Sequence, residues 1–259
     1  MKVAWLHVAP VKGLLIDERD HVVLGERGVE DDRRFCLIDE TGHLLNGKRF
    51  APVGTVAARF DPATDRLELR FTDDGAVSDT VRLGDALEVH IFGSVGPAHL
   101  VEGPWSAALT ERLGRPMRLV RFDDPGCGHD RAREAAGASL LSLASLARMA
   151  EEAGIDTPVD PRRFRMLIGV DGARAHQEDG WIGRRVRVGE AVVVPAGNIG
   201  RCVTTTRRPG TADSDLDTLH LLAQYRRDVA TSEALPFGIW ARVERPGRIA
   251  LGDEITVED

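Results

Sequence analysis

Apolar and polar residues alternate along much of the first hundred positions. The alternation is clearest in KVAWLHVAPV, RRFCLIDETGHLL, VAARFDPATDRLELRF and DTVRLGDALEVHIF, which are residues 2–11, 33–45, 56–71 and 79–92. A period of two is typical of strands with one buried face, and the Gly, Asp and Pro residues between them favour chain reversals. We therefore predict an antiparallel β region that curls toward a barrel, since closure removes exposed strand edges.

The period changes in the middle of the chain. GPWSAALTERLG (103–114) and SLLSLASLARMAEEAG (139–154) carry apolar residues at helical spacing and end at glycine, so both are predicted to be helices. Extended segments return from residue 160, interrupted by a third predicted helix in DLDTLHLLAQYRRDVATS (215–232). The expected fold class is mainly β with a few helices.

The stretch around residue 100 is rich in glycine and proline, which is typical of a boundary between domains. We therefore predict two domains, residues 1–100 and residues 101–259. The second is expected to contain a helical insert at about 103–154. No repeat or low-complexity linker suggests further units.

Composition limits the classes of function. The 259 residues are 42% hydrophobic, enough for a full core, and 41 acidic against 34 basic residues give a net charge of −7. This balance gives no overall reason to expect nucleic acid or an anionic membrane as partner, and no apolar stretch approaches the roughly 20 residues of a membrane span. Three separated cysteines without CxxC spacing favour a reducing compartment, so we expect a cytoplasmic protein.

The segment GRCVTTTRRPGT, residues 200–211, holds the strongest candidate for chemistry. We predict that Cys202 opens a strand at a loop tip, beside the positive charge of Arg201 and near the hydroxyl of Thr204. Such a thiol suits a soft-metal ligand or a sulfur nucleophile. The alternative is an inert thiol packed at the start of a strand.

Two further segments carry candidate anion-binding groups. APVKG places Lys12 and Gly13 on a predicted turn, where an ammonium and a close backbone can meet a phosphate. In EDDRRF, Arg33 and Arg34 are predicted to point to opposite faces of a strand, so that one faces inward with Asp32 as its partner. A solvated hairpin lysine and a surface charge cluster are the alternatives.

Two histidine segments have weaker signals. PGCGHD sets Cys127 near His129 and Asp130, but residues two apart in a glycine loop rarely face each other as a nucleophile pair. In HQEDGWIG, His176 and Glu178 resemble half of a metal site but have no third ligand at suitable spacing. A loop whose tryptophan fills the core is the alternative there. The GxGxxG, Walker and GxSxG motifs are absent from the sequence, which disfavours nucleotide-binding and α/β-hydrolase classes.

Over nearly its whole length the sequence resembles MOSC-domain proteins that carry an N-terminal MOSC β-barrel domain. This group includes the molybdenum cofactor sulfurase C-terminal domain and the amidoxime-reducing component. The matching motifs stand in the family's order: PVKG, DDRRF, RRFR, VDGARAHQEDGW, GRCVTTTRRPGT, TLHLLAQYRR, LPFGIW and GRIALGDEITV. The resemblance implies an N-terminal β-barrel-like domain packed on a MOSC β-barrel domain.

The resemblance also implies a molybdenum cofactor, a pterin dithiolene with a phosphate, held between the two domains. Cys202 matches the family's metal ligand, and the cofactor-binding residues implied are Lys12, Gly13, Asp32, Arg33, Arg165, Arg201 and Thr204. The resemblance to the family also implies binding of pyridoxal phosphate. The chain reads FRML where the reductase branch usually has Phe-Arg-Pro-Asn, and IGRC where that branch has Cys-x-Arg-Cys. Because of these differences, the alternative that the protein binds no molybdenum stays open.

The function implied is reduction of N-hydroxylated or N-oxygenated small molecules. Because no flavin motif or iron–sulfur cysteine set is present, the electrons would come from a separate donor protein. Two alternatives use the same residues. One is a sulfur carrier or C–S bond enzyme with a persulfide on Cys202; the other is a non-enzymatic pterin-cofactor binding protein.

Overall fold

The computed structural model of the protein describes residues 1–91, 94–130, 134 and 136–258. Strands predominate in this part of the chain, which confirms the predicted fold class. The α-helices among the described residues are α1 (Trp105–Leu113), α2 (Leu143–Ala153) and α3 (Thr218–Tyr225). None of these helices has the length and apolar character needed to cross a bilayer.

The strands follow one another along the chain with short connections. Those of the first half are β1 (Lys2–Val8), β2 (Val11–Lys12), β3 (Asp17–Glu18), β4 (His21–Gly25), β5 (Gly28–Val29), β6 (Phe35–Ile38), β7 (Leu44–Leu45), β8 (Ala57–Asp61), β9 (Arg66–Arg70), β10 (Ala76–Thr80), β11 (Arg82–Ile91), β12 (Ser94–Glu102) and β13 (Arg118–Phe122). Those of the second half are β14 (Ala136–Ser142), β15 (Ile168–Asp171), β16 (Val186–Val188), β17 (Ala191–Gly200), β18 (Pro236–Arg245), β19 (Gly247–Ala250) and β20 (Ile255–Val257).

The largest sheet has eight strands in the order β20-β16-β17-β18-β14-β15-β1-β3. Its ladders are antiparallel except for β14 with β15. Backbone hydrogen bonds such as Ile255 N to the Met1 carbonyl (2.8 Å) bring the two ends of this sheet together. The described pairings form no regular ladder there. No sheet in the described part of the chain closes into a ring, so the curl toward a barrel predicted for the first hundred residues does not reach closure.

One core lies against the eight-stranded sheet and also takes in β4, β5 and β19. A second core lies under the sheet that contains β6 and the sheet that contains β8 and β9. One sheet has the order β11-β12-β13-β6-β2, with β7 paired to β6, and two three-stranded sheets have the orders β10-β9-β8 and β19-β4-β5. Trp105 of α1 is fully buried among Phe35, Phe60 and Leu67, and its indole N–H donates to the Leu67 carbonyl at 3.1 Å. The apolar positions of the alternating segments are buried in separate clusters: Val3, Leu6 and Val8 pack with the eight-stranded sheet, whereas residues such as Phe35 and Phe60 pack with Trp105.

The predicted domain boundary near residue 100 stays a prediction. The helix α1 and the strand β13 lie beyond it, yet both pack on elements of the first hundred residues. Conversely, β1 pairs with β15 and β4 pairs with β19. The N-terminal and C-terminal parts of the chain therefore share hydrogen-bonded sheets.

The helices follow the predicted segments with shorter bounds. The helix α1 ends at Leu113, and the following Gly114 has a left-handed φ of 69°, as expected for a glycine that terminates a helix. Within the predicted segment 139–154, the residues up to Ser142 extend β14, and Ser142 then caps α2 by accepting from Ser145 N. The third helix ends at Tyr225, and the side chain of the next residue, Arg226, donates to the Pro236 carbonyl and to Asp179.

Candidate functional site

A cavity of about 400 Å³ collects side chains from distant parts of the chain. Residues at the end of β2, in the turn before β6, in the loop before β14 and in the segment after β17 border it. Its lining includes every residue that the sequence predicted for catalysis, cofactor binding or metal binding: Lys12, Gly13, Asp32, Arg33, Arg165, Arg201, Cys202 and Thr204. The structure brings these residues together, while their roles stay predictions.

Cys202 lies on the exposed rim of this cavity, with its Sγ 3.5 Å from Thr204 Oγ1. The prediction that it opens a strand is wrong. The strand β17 ends at Gly200, and Cys202 precedes a 3-10 turn at Val203–Thr206, because its carbonyl accepts from both the backbone N–H and the hydroxyl of Thr205. The exposed thiol also contradicts the alternative of an inert sulfur packed in the core.

Arg201 is held firmly beside the rim. Its guanidinium donates to the carbonyls of Phe237 and Phe164, the latter at 3.0 Å, and lies over the Phe164 ring. Burial lowers the pKa of Arg201 to about 9, so the side chain remains charged at neutral pH. A fixed positive charge therefore stands next to the residue that carries the exposed thiol.

Lys12 lies in β2, which pairs in parallel with β6, and only 7% of the residue is exposed. Leu14 N donates to the Val11 carbonyl at 3.1 Å, so Lys12 and Gly13 lie on a turn as predicted, whereas the solvated alternative is wrong. The ammonium donates to the Gly128 carbonyl at 2.8 Å and to the Asp130 carboxylate. Burial lowers the pKa of Lys12, and the charge of Asp130 opposes that shift. Gly13 follows with φ of 95°, a conformation that other residues adopt only with strain.

Arg33 has a φ of 55° and lies in a turn before β6, so the prediction that Arg33 and Arg34 occupy opposite faces of a strand is wrong. The Arg33 guanidinium donates to Asp32 and, at 3.0 Å, to the Arg165 carbonyl. Burial alone would raise the pKa of Asp32, but Arg33 and His129 more than offset it and the pKa is lowered. Asp32 therefore fixes the turn as a carboxylate, accepting from Ala9 N at 2.8 Å.

His129 and Asp130 also line the cavity; the sequence analysis considered them only as neighbours of Cys127 and did not include them among the predicted site residues. His129 Nε2 lies 3.4 Å from Asp32 Oδ2, and burial lowers the pKa of His129 to about 4, so the ring is neutral at pH 7. The glycine at position 128 is the sequence feature that could have indicated a close approach of this loop to the site, since a Cβ there would lie 2.0 Å from the Arg33 carbonyl oxygen. Only glycine lets this loop approach the Arg33 turn so closely.

The weaker histidine segments do not form sites of the suggested kinds. Glu178 is buried and accepts from Ser145 Oγ at 2.7 Å, while the His176 ring packs against Tyr225 and Phe237. Trp181 is buried in the core, in agreement with the alternative reading of that loop. Throughout the described part of the chain, no three His, Cys, Asp or Glu side chains are grouped so as to hold a metal ion.

Comparison with known families identifies both halves of the chain. The MOSC domain matches residues 130–256, and the MOSC N-terminal beta barrel domain matches residues 1–93. The chain belongs to the MOSC-domain family. Among curated proteins, this MOSC protein is 28% identical over 278 aligned positions to a molybdenum cofactor sulfurase of Drosophila grimshawi. The alignment covers 97% of this chain but 34% of the relative, so the chain spans about a third of that protein's length.

Solved structures resemble the MOSC protein only distantly. The YUAD protein from Bacillus subtilis is 13% identical with a TM-score of 0.44, over 98% of this chain and 93% of that one. YiiM from Escherichia coli is 16% identical with a TM-score of 0.35, over 48% of this chain and 55% of that one. With TM-scores below 0.5, these likenesses carry no conclusion about the MOSC protein.

The FRML segment of this MOSC protein forms one wall of the cavity. Met166 Sδ lies 2.9 Å from Arg201 Nη2, which donates to it, and the Met166 carbonyl accepts from Trp5 Nε1 at 3.2 Å. Leu167 is buried beside them and supplies an apolar surface. Met166 therefore supports Arg201, but neither Met166 nor Leu167 offers a side-chain amide to a ligand, so polar contacts must come from other residues of the lining.

The charged groups of the lining favour an anionic ligand. Six cationic side chains face two carboxylates, Asp32 and Asp130; the cations are Lys12, Lys48, Arg33, Arg163, Arg165 and Arg201. Arg165 donates through Nη1 to the Leu14 carbonyl at 2.6 Å, whereas its buried Nη2 has no hydrogen-bond partner among the described residues. Burial lowers the pKa of Arg165 to about 10, which leaves it charged at neutral pH. These residues fit a phosphate-bearing cofactor whose metal has a free coordination site for a thiolate.

Proposed function

We propose that this MOSC protein binds the molybdenum cofactor in the main cavity and reduces N-hydroxylated or N-oxygenated small molecules. The observation that carries the proposal is the exposed Cys202 thiol on the rim of a cavity lined by an excess of cationic side chains. The name of the sulfurase relative supports a connection with this cofactor. A separate redox protein would supply the electrons.

The residues have distinct parts in the proposal. Cys202 would bind the metal through its thiolate, a soft and strongly donating ligand. Arg165 and Arg33 would attract the negatively charged cofactor, and the Thr204 hydroxyl would donate a hydrogen bond to it. When bound, the cofactor supplies two-electron chemistry that can remove oxygen from an N–O bond. The chain itself orients the ligand and holds its charge.

Turnover with an artificial electron donor tests this function. The protein is purified from cells that make the cofactor and given a reduced viologen dye with an N-hydroxylated amidine, and the amidine formed is measured by chromatography. We expect Cys202→Ala to lower turnover by at least about tenfold, because the metal loses its protein ligand. Cys127→Ala is the matched control, since Cys127 lies outside the cavity lining. Equal turnover by Cys202→Ala and wild type would contradict the proposal.

A second function follows from the exposure of Cys202 and the name of the sulfurase relative. As a sulfur carrier, Cys202 would accept a sulfur atom from the persulfide of a cysteine desulfurase and hold it as its own persulfide. Mass spectrometry after incubation with desulfurase and free cysteine then detects an adduct of about 32 Da on Cys202. No adduct on a correctly folded protein would exclude this function. A purely cofactor-binding protein would instead keep its ligand in Cys202→Ala and show neither turnover nor the adduct.

A further inference from the structure

A small side cavity adjoins the main one. Its volume is about 50 Å³, against about 400 Å³ for the main cavity, so it suits a group of few atoms rather than a ring system. The two cavities share five lining residues, namely Gly13, Gly47, Arg163, Arg165 and Thr204. The two cavities are therefore direct neighbours, and Arg163 and Arg165 line both of them.

In the part of the chain that the structure describes, three of the arginine side chains that line this side cavity have either an N–H group without a hydrogen-bond partner or a positive charge without a counterion. Arg163 is 8% exposed, and its Nε has no hydrogen-bond partner among the residues described. Arg165 has the same property at Nη2. Arg207 donates to the Gly47 carbonyl, which satisfies an N–H but leaves the positive charge without a counterion. A buried, unsatisfied guanidinium nitrogen is costly unless a ligand completes it.

The neighbouring cations are neutralised in a different way. Arg162 pairs with Asp160 at 2.7 Å, and Arg208 pairs with Asp215 at 3.1 Å. Arg163 shares that second carboxylate through Nη2 at 2.6 Å. In contrast, neither Arg165 nor Arg207 has a carboxylate within 4.0 Å in the described part of the chain. The uncompensated positive charge is therefore concentrated at these two side chains.

Lys12, at another part of the main cavity, already has an anionic partner. Its ammonium is bonded to the Asp130 carboxylate and to the Gly128 carbonyl, so an incoming anion would have to displace or share them. The side cavity needs no such displacement. The positive charge and the free N–H groups therefore favour binding of an anionic group in the side cavity rather than beside Lys12.

We propose that the side cavity is a phosphate subsite, with Arg165 and Arg207 as its main ligands and Arg163 Nε as a further donor. Planar guanidinium groups that converge on a small cavity match the several oxygen atoms of a phosphate. The inference rests on the proposed function only in taking the main cavity as the place where the rest of the ligand lies. The phosphate belongs either to the cofactor or to a phosphorylated substrate.

Isothermal titration of the cofactor-free protein with inorganic phosphate tests the subsite directly. We expect saturable binding at one site, weakened about tenfold or more in Arg207→Gln, because a charge-assisted contact is lost. Arg208→Gln is the matched control, since its side chain is adjacent, exposed and already paired with Asp215. Arg165→Gln should weaken binding similarly. Since Arg165 is buried against Leu14, circular dichroism must first show that Arg165→Gln is folded. If Arg165→Gln is not folded, the test of the subsite rests on Arg207→Gln alone.

Two results would overturn the subsite. One is no saturable phosphate binding by wild type; the other is binding lost in Lys12→Gln while Arg207→Gln binds as wild type does. Cys202→Ala should bind phosphate as wild type does. The phosphate subsite can therefore be tested even if Cys202 proves not to bind molybdenum. Protein isolated with its cofactor distinguishes the two sources. If it no longer binds phosphate, the cofactor's own phosphate fills the subsite, and if it still does, the subsite serves a substrate.

Discussion

Cys202 differs from Cys36 and Cys127 in its surroundings. Cys202 is exposed on the cavity rim, whereas Cys36 is fully buried in β6 and burial raises its pKa to about 12. Cys127 is half-buried in the loop before β14 and approaches Arg27 rather than the cavity. The exposure of its thiol to solvent therefore distinguishes Cys202, the candidate reactive residue, from the buried and structural Cys36.

Alkylation of the native protein tests this difference. With limiting iodoacetamide at pH 8, we expect Cys202 to be modified readily and Cys36 to remain unmodified, because a thiolate must form and be reached. Peptide mass spectrometry measures the two sites. Modification of both in urea is the control that each peptide can be detected. Faster labelling of Cys36 than of Cys202 in the native protein would contradict the arrangement described.

His7 makes the stability of the protein depend on pH. Burial, against the opposing charge of Asp160, lowers the pKa of His7 from 6.5 to about 4. The unfolded chain therefore takes up a proton at a higher pH than the native state does. The contribution of this site to stability is complete above pH 6.5 and is lost as the pH falls toward 4.

Urea unfolding at pH 7 and pH 5 measures that contribution. The loss between the two pH values should be about 1 to 2 kcal/mol smaller in His7→Gln than in wild type. The exposed His21 provides the matched control, His21→Gln. An identical pH dependence in His7→Gln and wild type would show that His7 is not held neutral in the native state.

The elements follow from local sequence where the pattern of burial is regular. Alternation predicted strands such as β8 and β9, whose burial alternates, and helical spacing predicted the amphipathic face of α2. The same reasoning failed at Arg33, because the left-handed turn there is fixed by contacts with Asp32 and Arg165 that local pattern does not contain. Element bounds also shifted where Ser142 caps α2 and where Arg226 binds outside α3.

The start of α2 is the element most dependent on one polar side chain. Ser142 Oγ accepts from Ser145 N at 3.1 Å, and both serines contact buried Glu178. We expect Ser142→Ala to lower the free energy of unfolding by about 1 to 2 kcal/mol, since the cap and part of a buried network are lost. Urea denaturation measures it against Ser232→Ala, an exposed serine. Equal stability of the two variants would contradict this role.

In the whole molecule, the first strand couples the N-terminal residues to the C-terminal sheet. Trp5 of β1 packs directly on Gly169 of β15, where a Cβ would lie 2.0 Å from the indole ring. The site depends on the same coupling, because Lys12 binds groups more than a hundred residues away and Arg33 binds the Arg165 carbonyl. The sequence could nominate these residues individually, but their partners follow only from the folded chain.

Substitution of Gly169 tests this coupling. Gly169→Ala should lower the free energy of unfolding by about 1 to 3 kcal/mol while thermal unfolding keeps one transition, because both parts of the chain share the sheet. Circular dichroism and tryptophan fluorescence should report the same midpoint. Gly180→Ala is the matched control, since nothing lies within 4 Å of its added Cβ. Separate midpoints for the two probes in wild type would contradict a shared sheet.

Molybdenum content tests the central proposal most directly. Wild type, Cys202→Ala and Cys127→Ala are purified from cells that make the cofactor, checked for folding, and analysed by inductively coupled plasma mass spectrometry. We expect wild type and Cys127→Ala to approach one molybdenum per chain and Cys202→Ala to retain much less, because Cys202 is the cysteine among the residues that line the cavity. Folded wild type without molybdenum, or equal molybdenum in wild type and Cys202→Ala, would contradict the assignment of Cys202 as the metal ligand.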